Sequence, residues 1–340
     1  MKKFLLSLFV CSTISSFSQE LETILLARED AAKITDAYLQ PAFKGFIFSM
    51  NNGWYHTAKV HKKFGFDITI GASASLVPEK EEIFDLSAIG LSNSTTFDRN
   101  MTPTVAGDSN TPATITYQST VAGQNVSANF QMPNGVKEDL PLNSVPAPSI
   151  QVGIGLPFKL DAMVRYTPKV GSDDVKGSVF GIGLKKEITD WLGIVGKTPL
   201  HISILAAYSN MNVDYVIGDV NEQEISTRNA LTEFRLNAYT FQAIASLNLP
   251  IINFYGGVGF NSGSTNLNML GEYTLRYNTG NPLLPNVQET VTDPFSLEQD
   301  ASSFNATVGA RISLGFFKIF GSYTLQEYSS LNAGIAFSFR

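Results

Sequence analysis

The side chains in this chain that could do chemistry are few and scattered. His56, His61 and His201 are its only histidines. His56 and His61 are five residues apart, which on a strand points them to opposite faces. A shared metal is therefore not expected, and no metal or other cofactor is assigned. Asp173-Asp174 could touch a cation from a loop, but an ordinary solvated turn is the better reading. Covalent catalysis needs a nucleophile beside a base. The chain has neither a Gly-x-Ser-x-Gly elbow nor a phosphate-cradling Walker loop, and no enzyme activity is expected. Gly257-Val258-Gly259 reads as glycine within a strand, where it marks a bend or close packing. Two sets of residues remain. One is charged: Asp67, Lys159, Asp161, Arg165, Arg311 and Lys318. The other is aromatic and apolar: Phe43, Phe46, Phe48, Met50, Trp54 and Tyr55.

The elements around these residues show what each set can be. From Ser302 to Leu314 every second residue is apolar: Phe304, Ala306, Val308, Ala310, Ile312 and Leu314. The alternation resumes over Phe317–Leu325 and again from Leu331 to Phe339, one residue before the end. Strand side chains alternate faces, so each run has a greasy face and a polar one. Three such runs in succession, the last closing on an aromatic, read as the final strands of a transmembrane β-barrel. Charges on the lipid side would cost about 2–4 kcal/mol each at midplane for Arg or Lys. The six charged residues are accordingly expected to face the lumen.

The N-terminus gives the address. Lys2 and Lys3 precede the apolar stretch Phe4–Val10, and small or polar residues follow to Ser18. Residues 1–18 read as a secretory signal peptide, too short to span a bilayer as a helix. Cys11, the only cysteine, would fall within it, leaving a mature chain without disulfides. No later segment is a long uncharged apolar run, which excludes a helical membrane protein. The chain is nevertheless 44% hydrophobic and only 16% charged. A formal net charge of −6, with no basic stripe, argues against nucleic acid as a partner.

Residues 19–41 form a helical leader by the spacing of Leu21, Ile24, Leu25, Ala32, Thr35, Tyr38 and Leu39, with Pro41 as its stop. It either packs on the periplasmic end of the barrel or plugs the lumen. The barrel is assigned to 42–340. Its first strands are Ala42–Met50 and Trp54–His61, joined at Asn52-Gly53, a strong hairpin signal. The next is Phe64–Val77. Residues 78–148 are a long extracellular loop with room for a hairpin near Ala113–Phe130, and 262–300 are a second. Tight turns fall at Lys62-Lys63, Pro157, Pro250 and Gly315, all on the periplasmic side. The total is about twelve antiparallel strands, fourteen with the extra hairpin, and an even number puts both termini in the periplasm. Alternation alone does not say which face is outside. The terminal aromatic strand and the loop asymmetry favour membrane over a soluble barrel.

In layout the chain resembles the bacterial outer-membrane long-chain fatty-acid and hydrocarbon uptake channels. The common features are the signal peptide, a helical leader running into Pro41-Ala42-Phe43, the barrel body and Phe337-Ser338-Phe339 at the end. The leader lacks a clear copy of their N-terminal signature. The resemblance implies passive uptake of small hydrophobic or amphipathic molecules across the outer membrane. Phe43, Phe46, Phe48, Met50, Trp54 and Tyr55 would line a greasy pocket, or in part form a lipid-facing girdle. It also implies outer-membrane lipid and the barrel-assembly machinery, through the C-terminal strand, as partners. The rival reading is a non-transport scaffold or secretion accessory that binds partners through its long loops. From the face assignments, Ala310→Arg is expected to block assembly and Thr307→Arg to be tolerated.

Overall fold

The computed structural model describes residues 22–121, 123–221 and 224–339. The segment expected to be a signal peptide, residues 1–18, lies outside the described residues. Ten strands make the wall: β1 (Phe66–Leu76), β2 (Ser144–Leu156), β3 (Leu160–Gly171), β4 (Val175–Glu187), β5 (Leu200–Gly218), β6 (Ile225–Asn248), β7 (Ile252–Asn281), β8 (Phe295–Leu314), β9 (Phe317–Leu325) and β10 (Ser330–Phe339). Each pairs antiparallel with the next, and β10 pairs back onto β1 from Phe66↔Phe339 to Ser75↔Ser330. The ring is closed, each strand pairing with a neighbour on both sides over at least part of its length. The fold is the expected antiparallel transmembrane β-barrel with an N-terminal helix. Strands outside the ring bring the sheet to fourteen.

The exterior decides the solvent. Phe66, Ile68 and Ile70 on β1 face outward, while Asp67 and Thr69 between them are buried inside. On β8 the outward row is Phe304, Val308, Ile312 and Leu314, with Val308 66% exposed. A soluble barrel would bury this row; a membrane barrel presents it to acyl chains. Tyr208, Tyr239, Phe260 and Phe304 bound the belt on one side. Beyond them the outer face turns polar, as where Asn266 meets Ser296 and Glu298.

Two expected strands do not form. Ala42–Met50 is the second half of α1, a helix running Ala31–Asn51 straight through Pro41. A buried proline costs a helix about 3 kcal/mol, through the lost N–H and its clash with the preceding turn. Here apolar burial offsets that cost, since Ile34, Tyr38, Phe43, Ile47 and Phe48 are all enclosed. Phe46, Phe48 and Met50 alternate like a strand. Leu39, Phe43, Phe46 and Met50 also repeat like a helix, and in so short a run periodicity does not choose. Asn52-Gly53 is the helix stop and not a hairpin; Gly53 has φ +73°, a conformation both roles require. Trp54–His61 descends the lumen as irregular chain. Those two elements account for the difference between the twelve strands read in sequence and the ten in the wall.

The short turns at Pro157, Pro250 and Gly315 do share one end with the start of β1 and the end of β10, as expected. The leader does not: Glu22–Asp30 sits at the opposite, long-loop end, where Arg28 pairs with Glu289 at 2.6 Å. Nor is 262–300 a loop. β7 continues through it to Asn281 and is matched by a ribbon at Leu284–Thr292 and by the start of β8. Outside a membrane both faces of a strand can be polar, and the apolar signal fades. The hairpin expected near Ala113–Phe130 is present as Thr114–Val121 paired with Gln124–Gln131.

Asp30 fastens the excursion between β1 and β2 to the start of α1. Its carboxylate accepts from the Ser92 amide at 2.9 Å, the Ser92 hydroxyl at 2.6 Å and the Thr95 hydroxyl at 2.7 Å. Burial works to raise its pKa, but the bonds from Ser92 and Thr95 outweigh it and hold the group below its ordinary value. The stabilisation is therefore complete above the unfolded pKa of about 4 and is lost as pH falls through the lower folded value. Asp30→Asn should speed proteolysis of residues 77–100 at pH 7. The gap from wild type should close as the buffer approaches pH 3.

Candidate functional site: an apolar vestibule over a plugged polar lumen

The lumen has two compartments. Toward the long-loop end, α1 lays Leu39, Phe43 and Phe46 against the inward row of β5–β7. Phe43 stacks on Phe234 with centroids 5.6 Å apart, and Phe46 tilts on the same ring at 5.8 Å. Above these rings lies a cavity of about 230 Å³, closed further by Met211, Leu267 and Met269. An engineered apolar cavity of about 150 Å³ suffices to bind benzene. No lysine or arginine lines this one.

A second cavity of about 90 Å³ adjoins it and shares Phe46, Pro146, Met211 and Val213. Its lining also includes the outward-facing Ile70 and Val170, which are each 42% exposed. It lies where the wall is incomplete. The β2–β3 ladder runs only from Gln151↔Arg165 to Leu156↔Leu160, so the upper halves of both strands are unpaired with each other. Proline has no N–H to donate, and Pro146 and Pro148 suit β2 to an open seam.

Below the vestibule the lumen is polar and occupied. Trp54 lies against Gly181 and Gly183, where any added Cβ would come within about 3.1 Å of the indole. On its other face the Arg165 guanidinium carbon is 3.8 Å from the ring centroid. Arg165, itself buried, donates to the carbonyls of Met50 (3.1 Å) and Asn52 (2.9 Å) and to Gln151 (3.0 Å). It thus caps the C-terminal carbonyls of α1, where the helix dipole favours a cation. Wall side chains take up the descending backbone. Ser246 accepts from the Ala58 amide, Glu187 from Val60 and Asp161 from His61.

His56 and His61 do not diverge, because their segment is not a strand. Both reach Asp67, at 3.3 and 3.6 Å. Arg311 lies 2.9 Å from His56 Nδ1. Arginine can only donate, so Nδ1 accepts and the His56 proton sits on Nε2, facing Asp67. That leaves His56 no lone pair for a metal, whose histidine ligands need an acceptor behind them.

Of the charges read in sequence, Asp67, Asp161, Arg165 and Arg311 meet in this lumen. Lys159 and Lys318 lie instead at its short-turn rim, Lys159 on Asp190 at 2.6 Å and Lys318 near the Gly315 carbonyl. Phe43 and Phe46 line the vestibule and Met50 the second cavity. Phe48 faces elsewhere, against Tyr328; Trp54 and Tyr55 belong to the plug below. Lys185, 3.0 Å from Asp161, and Glu187, 2.8 Å from His201, were not singled out. Their parity opposite Phe180, Ile182 and Leu184 would have found them.

Over residues 1–339 the chain matches a family described only as of unknown function, DUF6588. It belongs to that family. No curated protein matches it. Among solved structures it is similar to the NalP autotransporter translocator domain of Neisseria meningitidis, at 9% identity and TM-score 0.29, covering 82% of this chain and 90% of that one. It is also similar to the outer-membrane protease OmpT of Escherichia coli, at 10% identity and TM-score 0.29, covering 82% and 99%. The attachment invasion locus protein Ail of Yersinia pestis matches at 8% and 0.26, covering 82% and 100%. Likeness at this level says nothing of function.

Proposed function

We propose that this DUF6588 protein is an outer-membrane channel for passive uptake of small hydrophobic or amphipathic molecules. The long-loop end faces outward, and the signal peptide is removed on export. Cargo enters the vestibule and leaves sideways through the β2–β3 seam into the membrane. The observation that carries this reading is the pair of adjoining apolar cavities, one inside the barrel and one reaching its exterior through the unpaired seam. The lumen beneath offers an apolar molecule only ion pairs and amides, and each unpaired polar group it covered would cost about 1–3 kcal/mol. No step needs a nucleophile, metal or cofactor. β10, ending in Phe337 and Phe339, would be the strand offered to the assembly machinery.

Gly177 provides the test. It lines the second cavity, and an added Cβ there would meet nothing closer than 3.7 Å. Gly177→Phe should fill the side passage while leaving the vestibule intact. In proteoliposomes, transfer of a neutral fluorescent hydrocarbon from outside into the bilayer should slow at least tenfold, with its affinity for detergent-solubilised protein unchanged. Equal transfer rates would reject the side passage.

The scaffold reading has one observation in its favour. Leu283, at the tip of the outer ribbon, is 94% exposed between prolines. Deleting residues 279–285 should leave transfer unchanged under the uptake reading. Loss of a stable partner without loss of transfer would favour the scaffold.

A further inference from the structure

We infer that the short-turn rim carries a binding patch for the headgroups of anionic phospholipids, where β1, β2, β3 and β4 begin or end. Three lysines and three aromatics make it: Lys62, Lys63 and Lys186 with Phe64, Phe158 and Trp191. The patch requires that the barrel stand in a membrane, and it does not depend on the uptake reading.

Local contacts hold the six together. The Phe64 amide donates to the Gly155 carbonyl at 2.8 Å, which sets the Lys62–Phe64 turn beside the turn at Pro157. Lys186 donates to the Phe158 carbonyl, and its ammonium lies 5.8 Å from the ring centroid of Trp191. The Lys63 ammonium lies 5.2 Å from the ring centroid of Phe64. The depth of the patch follows from strand parity. Lys186 ends the outward row Phe180, Ile182 and Leu184 of β4, each of which is exposed. Two residues of strand span about 7 Å, so Lys186 stands just past the acyl belt, at the level of headgroups. Phe64 precedes the outward Phe66 by the same two residues.

The charge of this corner runs against that of the chain, whose formal net charge is −6. Asp190 is matched by Lys159 at 2.6 Å. Asp161 and Glu187 are buried, and bonded to Lys185 at 3.0 Å and His201 at 2.8 Å. Lys62, Lys63 and Lys186 form no ion pair among the described residues. Lys62 and Lys63 are exposed and Lys186 half-buried, so all three can reach a phosphate as point charges.

The aromatics say that the partner is a lipid. Phe64 and Phe158 take φ of +63° and +65°, where a bulky side chain is an outlier. They are also 67% and 84% exposed, and Trp191 is 72% exposed. A turn in water would take glycine or asparagine at both phenylalanine positions with less strain. At a lipid–water boundary the rings enter the edge of the acyl layer while the ammonium groups stay at the phosphates. A zwitterionic headgroup brings its own cation to the lysines, so the unmatched charge selects an anionic one. A soluble polyanion would use the lysines and leave Phe64 and Phe158 in water.

Trp191 supplies the reporter, because the only other tryptophan, Trp54, is enclosed in the lumen. The whole protein would be placed in phosphatidylcholine vesicles containing a small fraction of phosphatidylglycerol with brominated tails, or the same fraction of brominated phosphatidylcholine. Wild-type fluorescence should be quenched about twofold more by the anionic lipid, since each lysine at the surface favours it. Trp191→Phe should remove that difference. Lys62→Gln, Lys63→Gln and Lys186→Gln together should abolish it, and Lys62→Arg, Lys63→Arg and Lys186→Arg together should keep it. Heat-modifiable gel mobility confirms that each variant is folded. Hydrocarbon transfer by the glutamine variant should match wild type, so failure of either reading shows separately. Equal quenching by the two lipids in wild type would overturn the inference. So would a difference that persists in the folded glutamine variant, or one erased by excess glycerol 3-phosphate in the buffer.

Discussion

Ala310→Arg should keep the barrel from assembling in a membrane. Ala310 lies on the outward row of β8 between Val308 and Ile312, in register with Phe254 of β7 and Gly321 of β9. An arginine there meets acyl chains near midplane at a cost of about 2–4 kcal/mol, a large share of a typical stability of 5–15 kcal/mol. On a gel, the unheated variant should lack the fast-migrating folded band. A normal folded band would mean that this row does not face lipid. The companion expectation, that Thr307→Arg is tolerated because it faces a watery lumen, does not survive the structure. Thr307 does face inward, but its hydroxyl is 2.9 Å from that of Thr324 and Tyr55 fills the space beside it. Thr307→Arg should therefore let the wall form while displacing the plug.

The second large effect is expected at Arg165. Arg165→Leu removes three charge-assisted bonds and the stack on Trp54, and strands the carbonyls of Met50 and Asn52. Hydrogen bonds to charged groups are worth about 1.5–3 kcal/mol each, and the stranded acceptors add their desolvation cost. A net loss on the order of 3–5 kcal/mol would fall on the plug, because the β3 ladders do not use this side chain. In planar bilayers the variant should show large, long-lived openings that wild type lacks. Arg165→Lys should restore little, since an ammonium does not reproduce the planar fork. Wild-type traces from Arg165→Leu would show that something else retains the plug.

The wall was legible because its signal is local. Alternation such as Phe304, Val308 and Ile312 against Asn305, Thr307 and Arg311 needs no tertiary information, and a charge cannot face lipid. A plug was one of two readings of the leader, but its extent and form were not legible, for the opposite reason. Whether Phe43–Met50 is strand or helix depends on being surrounded by a barrel, which makes an interior proline affordable. Asn52-Gly53 gives the same positive-φ signal for a hairpin and for a helix end. The vestibule was half visible: Phe43 and Phe46 stood out as an aromatic cluster, whereas Met211, Phe234 and Met269 looked like ordinary strand residues until the register placed them opposite α1. The outer ribbons escaped because polar alternation in water resembles a loop. His56 and His61 converge on Asp67 only because the chain between them is irregular.

Photolabelling addresses the central claim, that hydrophobic molecules are taken into the vestibule under the long loops. A neutral diazirine hydrocarbon would be added to intact proteoliposomes, irradiated, and its adducts mapped by peptide. The uptake reading predicts adducts on residues 39–46 and around Met211, Phe234 and Met269, reduced by excess unlabelled hydrocarbon. Adducts confined to the outward belt, such as Val308 and Phe254, and insensitive to competition, would contradict it.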